Sequence, residues 1–236
     1  MSGQRNLTIN GSGVYSGGSY KKIRIAGEGT ISSDVECSEF NIFGTGKVVG
    51  VLHSNNINVL GESEIEGKIS SDDIKVFGTL VGKDRAEAKR LNVWGSAEFY
   101  QNVHCEIVDV KGSLSIKNNL EAEKCTVKGI LKVDGLLNAD IIDIQINHAS
   151  GTAKEIGGEM ITIKKAFKLI PFFKSTRDFT AETIEGDTIH LENTIADIVR
   201  GKKIVIGEGC RIGLVEYEES FEQHPSATIG NVIKLV

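Results

Sequence analysis

A glycine recurs at every seventeenth position, as Gly27, Gly44, Gly61, Gly78, Gly95, Gly112 and Gly129. Glycine makes up only 27 of the 236 residues, so seven in one register lie far outside chance. A fixed period of this kind, roughly 20 residues, marks a solenoid, in which each repeat buries its apolar face only by stacking on its neighbours. That requirement excludes most folds at once.

The remaining columns show what one repeat contains. Ahead of the glycines stand the pairs Phe40/Ile42, Ile57/Val59, Ile74/Val76, Leu91/Val93, Val108/Val110, Cys125/Val127 and Ile142/Ile144. After them come Gly29/Ile31, Gly46/Val48, Ser63/Ile65, Leu80/Gly82, Ala97/Phe99, Leu114/Ile116 and Leu131/Val133. A third pair joins Val35, Leu52, Ile69, Ala86, Val103, Leu120 and Leu137 to a small residue two places on, such as Cys37, Ser54 or Ala88. A spacing of two is strand geometry, because alternate side chains face one way. The pattern predicts an all-β fold, a single-stranded parallel β-helix with three short strands per 17-residue rung. Rungs of this kind stack about 4.8 Å apart. In one repeat the sizes exchange, Leu80 standing where its column is small and Gly82 where its column is large. A filled interior requires such compensation, since voids and overpacking both cost stability. The glycine column marks a bend, where positive φ or a close backbone approach favours a residue without Cβ.

The register runs from about residue 20 to 146 and breaks where Ile146 takes the glycine's place. Ile161/Ile163 fit a further rung after a two-residue insertion, and strand-like pairs return at Ile189/Leu191, Ile204/Ile206, Val215/Tyr217 and Ile233/Leu235. The expected organisation is rungs over 1–163, an irregular basic and aromatic insertion over 164–180, and rungs of the same solenoid over 181–236. Roughly ten or eleven rungs are expected in all.

Composition narrows the function. The formal charge of -5 argues against nucleic acid as a partner. The opening residues MSGQRNLTING lack a basic-then-apolar signal pattern, and no run nears the roughly 18 apolar residues of a spanning helix, so a cytoplasmic location is expected. The four cysteines form no CxxC, and Cys37 and Cys105, four rungs apart in one column, are too distant for a disulfide. Of His53, His104, His148, His190 and His224 only His53 and His104 fall in one column of the 17-residue register, three repeats apart, so they form no metal ladder. The outward row Asn41, Asn58, Lys75, Asn92, Asp109, Thr126 and Asp143 shows no compact catalytic trio, and there is no phosphate-binding GxxxxGK[ST] loop. No catalytic residue, cofactor or metal site is expected, and the protein is not expected to be an enzyme.

The stacked rungs, together with the closing stretch VRGKKIVIGEGCRIGLVEYEESFEQHPSATIGNVIKLV, resemble the bactofilins, polymer-forming cytoskeletal proteins of bacteria. In that stretch Ile206-Gly207-Glu208-Gly209-Cys210-Arg211-Ile212-Gly213 leads into Val215-Glu216-Tyr217. The resemblance implies a right-handed β-helix that assembles end to end into nucleotide-free, non-polar filaments. It also implies scaffold roles in cell shape, envelope or motility, at the inner face of the cell membrane. The implied partner is the chain itself, with a paralogue and envelope or motility proteins as further candidates.

Three groups of residues are candidates for contact. A β-helix exposes unpaired backbone groups at its terminal rungs, and Val232, Ile233, Leu235 and Val236 would stack on another molecule there or complete the last rung. The residue before each glycine, Phe43, Leu60, Phe77 and Trp94, faces outward and forms an apolar stripe. It would be covered by FKLIPFF of the insertion, contact another protein or bind a carbohydrate. The insertion places Phe167, Ile170, Phe172 and Phe173 among Lys164, Lys165, Lys168, Lys174 and Arg177, a composition suited to an anionic membrane surface or a partner. The alternatives to a self-assembling scaffold are a monomeric adaptor binding through its flank and a β-helix carbohydrate-active enzyme.

Overall fold

The computed structural model describes residues 5–146, 151–165 and 178–235. These hold β-strands and no helix, paired in parallel as β-solenoid rungs. Two compact units divide the chain at 118/119.

In the first unit every rung from Gly18 on is an eight-residue strand followed by a four-residue one. Val35–Ile42 leads to Thr45–Val48, Leu52–Val59 to Glu62–Ile65, Ile69–Val76 to Thr79–Gly82, and Ala86–Val93 to Ser96–Phe99. Each strand pairs in parallel with its equivalent in the next rung, so that Phe40, Ile57, Ile74 and Leu91 form one ladder. The long strand carries two of the three predicted faces. Val35 and Cys37 point inward, then Phe40 and Ile42 do, and the step of three between Cys37 and Phe40 breaks the alternation where the chain turns a corner. The three expected strands therefore occur as two ladders, one of them cornered.

The bend explains its glycines by crowding. A Cβ on Gly61 would meet the carbonyl oxygen of Gly44 far inside van der Waals contact. Among the described residues positive φ is confined to Gly18, Asn193 and Gly209, so the glycine column is selected by close approach alone. The size exchange is equally direct. Leu80 and Phe99 are fully buried, and a Cβ on Gly82 would stand 2.7 Å from Cδ1 of Phe99. Phe99 fills the space that Gly82 leaves one rung below.

The structure corrects the rung count to about thirteen turns. One missed rung is Asn6–Ile9 with Ser12–Tyr15, whose residues pair 16 rather than 17 places on, as Asn6 does with Lys22. A fixed step of 17 passes over it.

The second unit opens with Leu120–Val127, continues in the longer strands Ile130–Ile146, Gly151–Lys165, Phe179–Leu191, Thr194–Ile206 and Arg211–Gln223, and closes with the seven-residue Thr228–Lys234. Ile142 pairs with Ile161 and Ile144 with Ile163, as the two-residue insertion predicts, and the register shift lies between Val133 and Leu136. The segment expected to be irregular begins and ends in strand, since Lys164 and Lys165 close one strand and Phe179 and Thr180 open the next. A further glycine column, Gly158, Gly186 and Gly201, is aligned by pairing.

Near the end the observed register departs from the even spacing in two places. A register shift between Gly201 and Lys203 sets Phe221 and Gln223 on Ile204 and Ile206, positions the spacing did not assign. Ile233 stands over Glu216 and Arg200, an outward row, while Val232 continues the inward row of Val199 and Val215. The cause is the corner between Ile229 and Val232, which pair with Ile212 and Val215 three positions apart and so reverse the alternation.

Candidate functional site

The outward stripe of the first unit is a stacked ladder. Phe43, Leu60, Phe77 and Trp94 are each between 37% and 51% exposed. Their strands are in register, and the rings of Phe77 and Trp94 stack with centroids 4.6 Å apart and an interplanar angle of 4°. Both ends of the ladder are closed by cations. The Arg24 guanidinium lies 4.6 Å from the Phe43 ring centre and the Lys111 ammonium 5.3 Å from that of Trp94, each attracted by the ring quadrupole. One face of Phe43 and the shared faces of Phe77 and Trp94 are thus occupied within the chain. A sugar that stacks on an aromatic face finds no free face between Phe77 and Trp94.

Beside the ladder runs a polar row, in which Asn58 Nδ2 donates to Asn41 Oδ1 at 2.9 Å. Beyond it, at the corner, is a row the sequence did not single out: Glu39, Asn56, Asp73, Arg90 and Ile107. Asp73 is only 7% exposed. Its Oδ2 lies 2.9 Å from Lys75 Nζ and 3.9 Å from Arg90 Nη2, and Asn92 Nδ2 donates to Oδ1 at 3.2 Å. A buried carboxylate needs this compensation. The signal available in sequence was a cation two residues on and another 17 on, both neighbours in this fold. Glu39 binds Lys22 at 2.7 Å, and that contact holds its carboxyl below the usual carboxylate range.

At the end of the second unit, Thr228–Lys234 pairs on one edge with Arg211–Gln223, and no described strand lies against its other edge. Val232 tops an inward row in which Val199 and Val215 are fully buried, yet it is 44% exposed. Ile233 is exposed and Leu235 half-buried, its N–H donating to the Tyr217 carbonyl at 2.7 Å. Val236 lies outside the described residues, as do Phe167, Ile170, Phe172 and Phe173.

Comparison with known proteins places the chain. It is 58% identical over 231 residues to YhbE of Bacillus subtilis (strain 168), an uncharacterized protein, covering 97% of this chain and 98% of that relative. The chain belongs to the YhbE family. YhbF of the same organism, also uncharacterized, is 42% identical over 101 residues, which are 43% of this chain and 42% of YhbF. The chain thus matches less than half the length of that second relative. No family model matches. No solved structure matches. Neither relative's name points to the bactofilins, a likeness that rests on the rungs and the C-terminal stretch.

In this YhbE-family chain the cysteines are packing residues. All four are buried. Burial pushes the Cys105 thiol up to about 12 and that of Cys210 to about 11, and it raises Cys37 as well. A thiol held protonated is a poor nucleophile and metal ligand. His190 is shifted down by burial and by Lys164, against the pull of Glu192. Among the described residues no helix is long and apolar enough to cross a membrane.

Proposed function

We propose that this YhbE-family protein is a structural, self-assembling scaffold whose solenoids stack end to end into filaments without nucleotide. The observation that carries the reading is the open strand Thr228–Lys234. Among the described residues its backbone is paired on one edge only, and Val232, at the top of a buried row, is 44% exposed. Unpaired strand edges are templates for further pairing, and a second molecule laid on this edge extends the same rows. The bactofilin likeness supports the same reading and adds a scaffold role in cell shape, envelope or motility, in the cytoplasm or at the inner face of the cell membrane. Bacillus subtilis has two proteins similar to this chain, which makes a paralogue a natural co-assembling partner. Negative-stain microscopy of purified protein, with no nucleotide added, tests the proposal. Filaments whose length grows with protein concentration are expected, and a sample of uniform single particles at high concentration would overturn it.

A further inference from the structure

The face that carries the aromatic ladder has three outward rows. One is Phe43, Leu60, Phe77 and Trp94; beside it run Asn41, Asn58, Lys75 and Asn92, then Glu39, Asn56, Asp73 and Arg90. A two-fold axis lying in a contact plane, perpendicular to these rows, would set each row against its own copy in reverse order. With the axis passing between the rungs of Leu60 and Phe77, every facing pair is compatible. Phe43 meets Trp94 of the second copy and Leu60 meets its Phe77. Asn41 faces Asn92, and Asn58 faces Lys75. Glu39 faces Arg90, while Asp73, only 7% exposed and held by Lys75 and Asn92, takes no part in the contact.

No neighbouring register works. Moving the axis onto the Leu60 rung sets Lys22 against Arg90, both exposed cations. Moving it onto the Phe77 rung sets Lys75, 41% exposed, against Lys75. Like charges directly opposite disfavour an arrangement, and complementary ones select it. The pairs are also available. The side chains of Glu39 and Arg90 are 47% and 60% exposed; Arg90 is only loosely held by Asp73 at 3.9 Å, and Glu39, though it meets Lys22 at 2.7 Å through one oxygen, keeps its other oxygen for a second cation. The cations over Phe43 and Trp94 close the apolar patch at both ends, so its length is finite and identical in both copies.

We infer that this face is the contact for a second copy of the same chain, packed side by side and antiparallel, with Glu39–Arg90 pairs flanking a core of Phe43, Leu60, Phe77 and Trp94. This lateral contact is separate from the stacking of ends and does not rest on it. The patch is smaller than the roughly 800 Å² per partner of a standard interface, so pairing is weak and concentration-dependent.

The test uses full-length chains carrying Val232→Asp, which blocks end stacking under the reading above, and follows mass by sedimentation velocity as concentration rises. A dimer is expected. Glu39→Arg alone and Arg90→Glu alone each place like charges opposite one another, and each is expected to weaken dimerisation at least tenfold. Mixing those two variants restores both pairs in a heterodimer, and dimer is expected to return, which a folding defect would not allow. Phe43→Cys mixed with Trp94→Cys is expected to form an interchain disulfide that neither variant forms alone. Monomer at every concentration overturns the inference, whatever part of the chain occupies the face. So does a mixture of the charge variants no more associated than its components, or Phe43→Cys linking to itself as readily as to Trp94→Cys. None of these results bears on whether unmodified chains make filaments.

Discussion

Gly78 lies directly above Gly61, so close that a Cβ on Gly78 would collide with the Gly61 carbonyl oxygen, while the next N–H, that of Thr79, donates to that oxygen at 2.9 Å. The 17-residue repeat is thus a vertical relationship, one residue set on its counterpart a turn below. The glycine keeps the bend tight enough for that hydrogen bond to form.

Gly78→Ala should therefore destabilise the chain although alanine is the gentlest replacement elsewhere. The added methyl meets backbone on a neighbouring rung, which cannot rotate aside as a side chain can. A loss on the order of 2 kcal/mol is expected, read as a lower urea midpoint with unchanged slope. An unchanged midpoint would show that the bend opens freely.

The Gly82 and Phe99 pair makes a coupled prediction. Phe99→Ala empties the space over Gly82 and is expected to cost about 3–5 kcal/mol. Gly82→Val alone overpacks against the ring, at a cost of about 1–3 kcal/mol. The double variant should be more stable than the sum of the two losses implies, because the valine enters the vacated space. Additive losses in a double-mutant cycle would argue that the side chains do not share it.

Most of the first unit was legible in the sequence because its rungs are equal. Each inward residue falls 17 places from the next, so columns such as Ile42, Val59 and Val76 can be read without coordinates. The second unit hides the same construction. Gly158, Gly186 and Gly201 stand in one column, but the first step is nearly twice the second, and no single period aligns them. Ile233 was misjudged for a related reason. Apolar character at alternate positions says nothing about where a corner resets the alternation. The aromatic stripe was visible as a row, whereas the stacking of its rings, the cations over its ends and the buried Asp73 are side-chain arrangements that spacing does not determine.

Ile65→Asp is expected to abolish folding of the first unit. Ile65 is fully buried between Val48 and Gly82 in an apolar row, and an unpaired carboxylate there faces a desolvation penalty of several kcal/mol. Circular dichroism of the variant should lack the β signal, or show a melting temperature at least 10 °C lower (ΔΔG of about 1 kcal/mol alone shifts Tm by roughly 2–4 °C at this size). A variant melting with the parent would place Ile65 outside the core.

The buried thiols predict a loss of stability in alkali. Cys105 is raised to about 12 and Cys210 to about 11 from an ordinary 9.0. Above about pH 9 the unfolded chain loses these protons while the folded chain keeps them, so stability falls as pH rises from there towards 11. Below pH 9 both states hold the protons and the contribution is complete. The urea midpoint should drop between pH 8 and pH 10.5, and Cys105→Ala, which matches Ala88 in the adjacent rung, should flatten that slope. In native protein at pH 8 a thiol reagent should label slowly, with all four cysteines reacting after unfolding.

Val215 and Val232 occupy the same inward row on consecutive rungs, yet an acid should act differently at each. Val215 is fully buried, covered from above by the final strand. Val215→Asp encloses a charge with no partner and should unfold the end of the second unit. Val232 has nothing described above it and is 44% exposed, so Val232→Asp leaves its carboxylate in contact with water and should change the melting temperature little. If molecules stack on this strand, the same substitution puts a charge into the dry centre of every junction, and filaments should disappear. Removing 232–236 should have the same effect, impairing assembly more than folding. Melting curves and negative-stain images of the variants separate the two properties. Filaments that persist in both Val232→Asp and the deletion would show that assembly uses another surface.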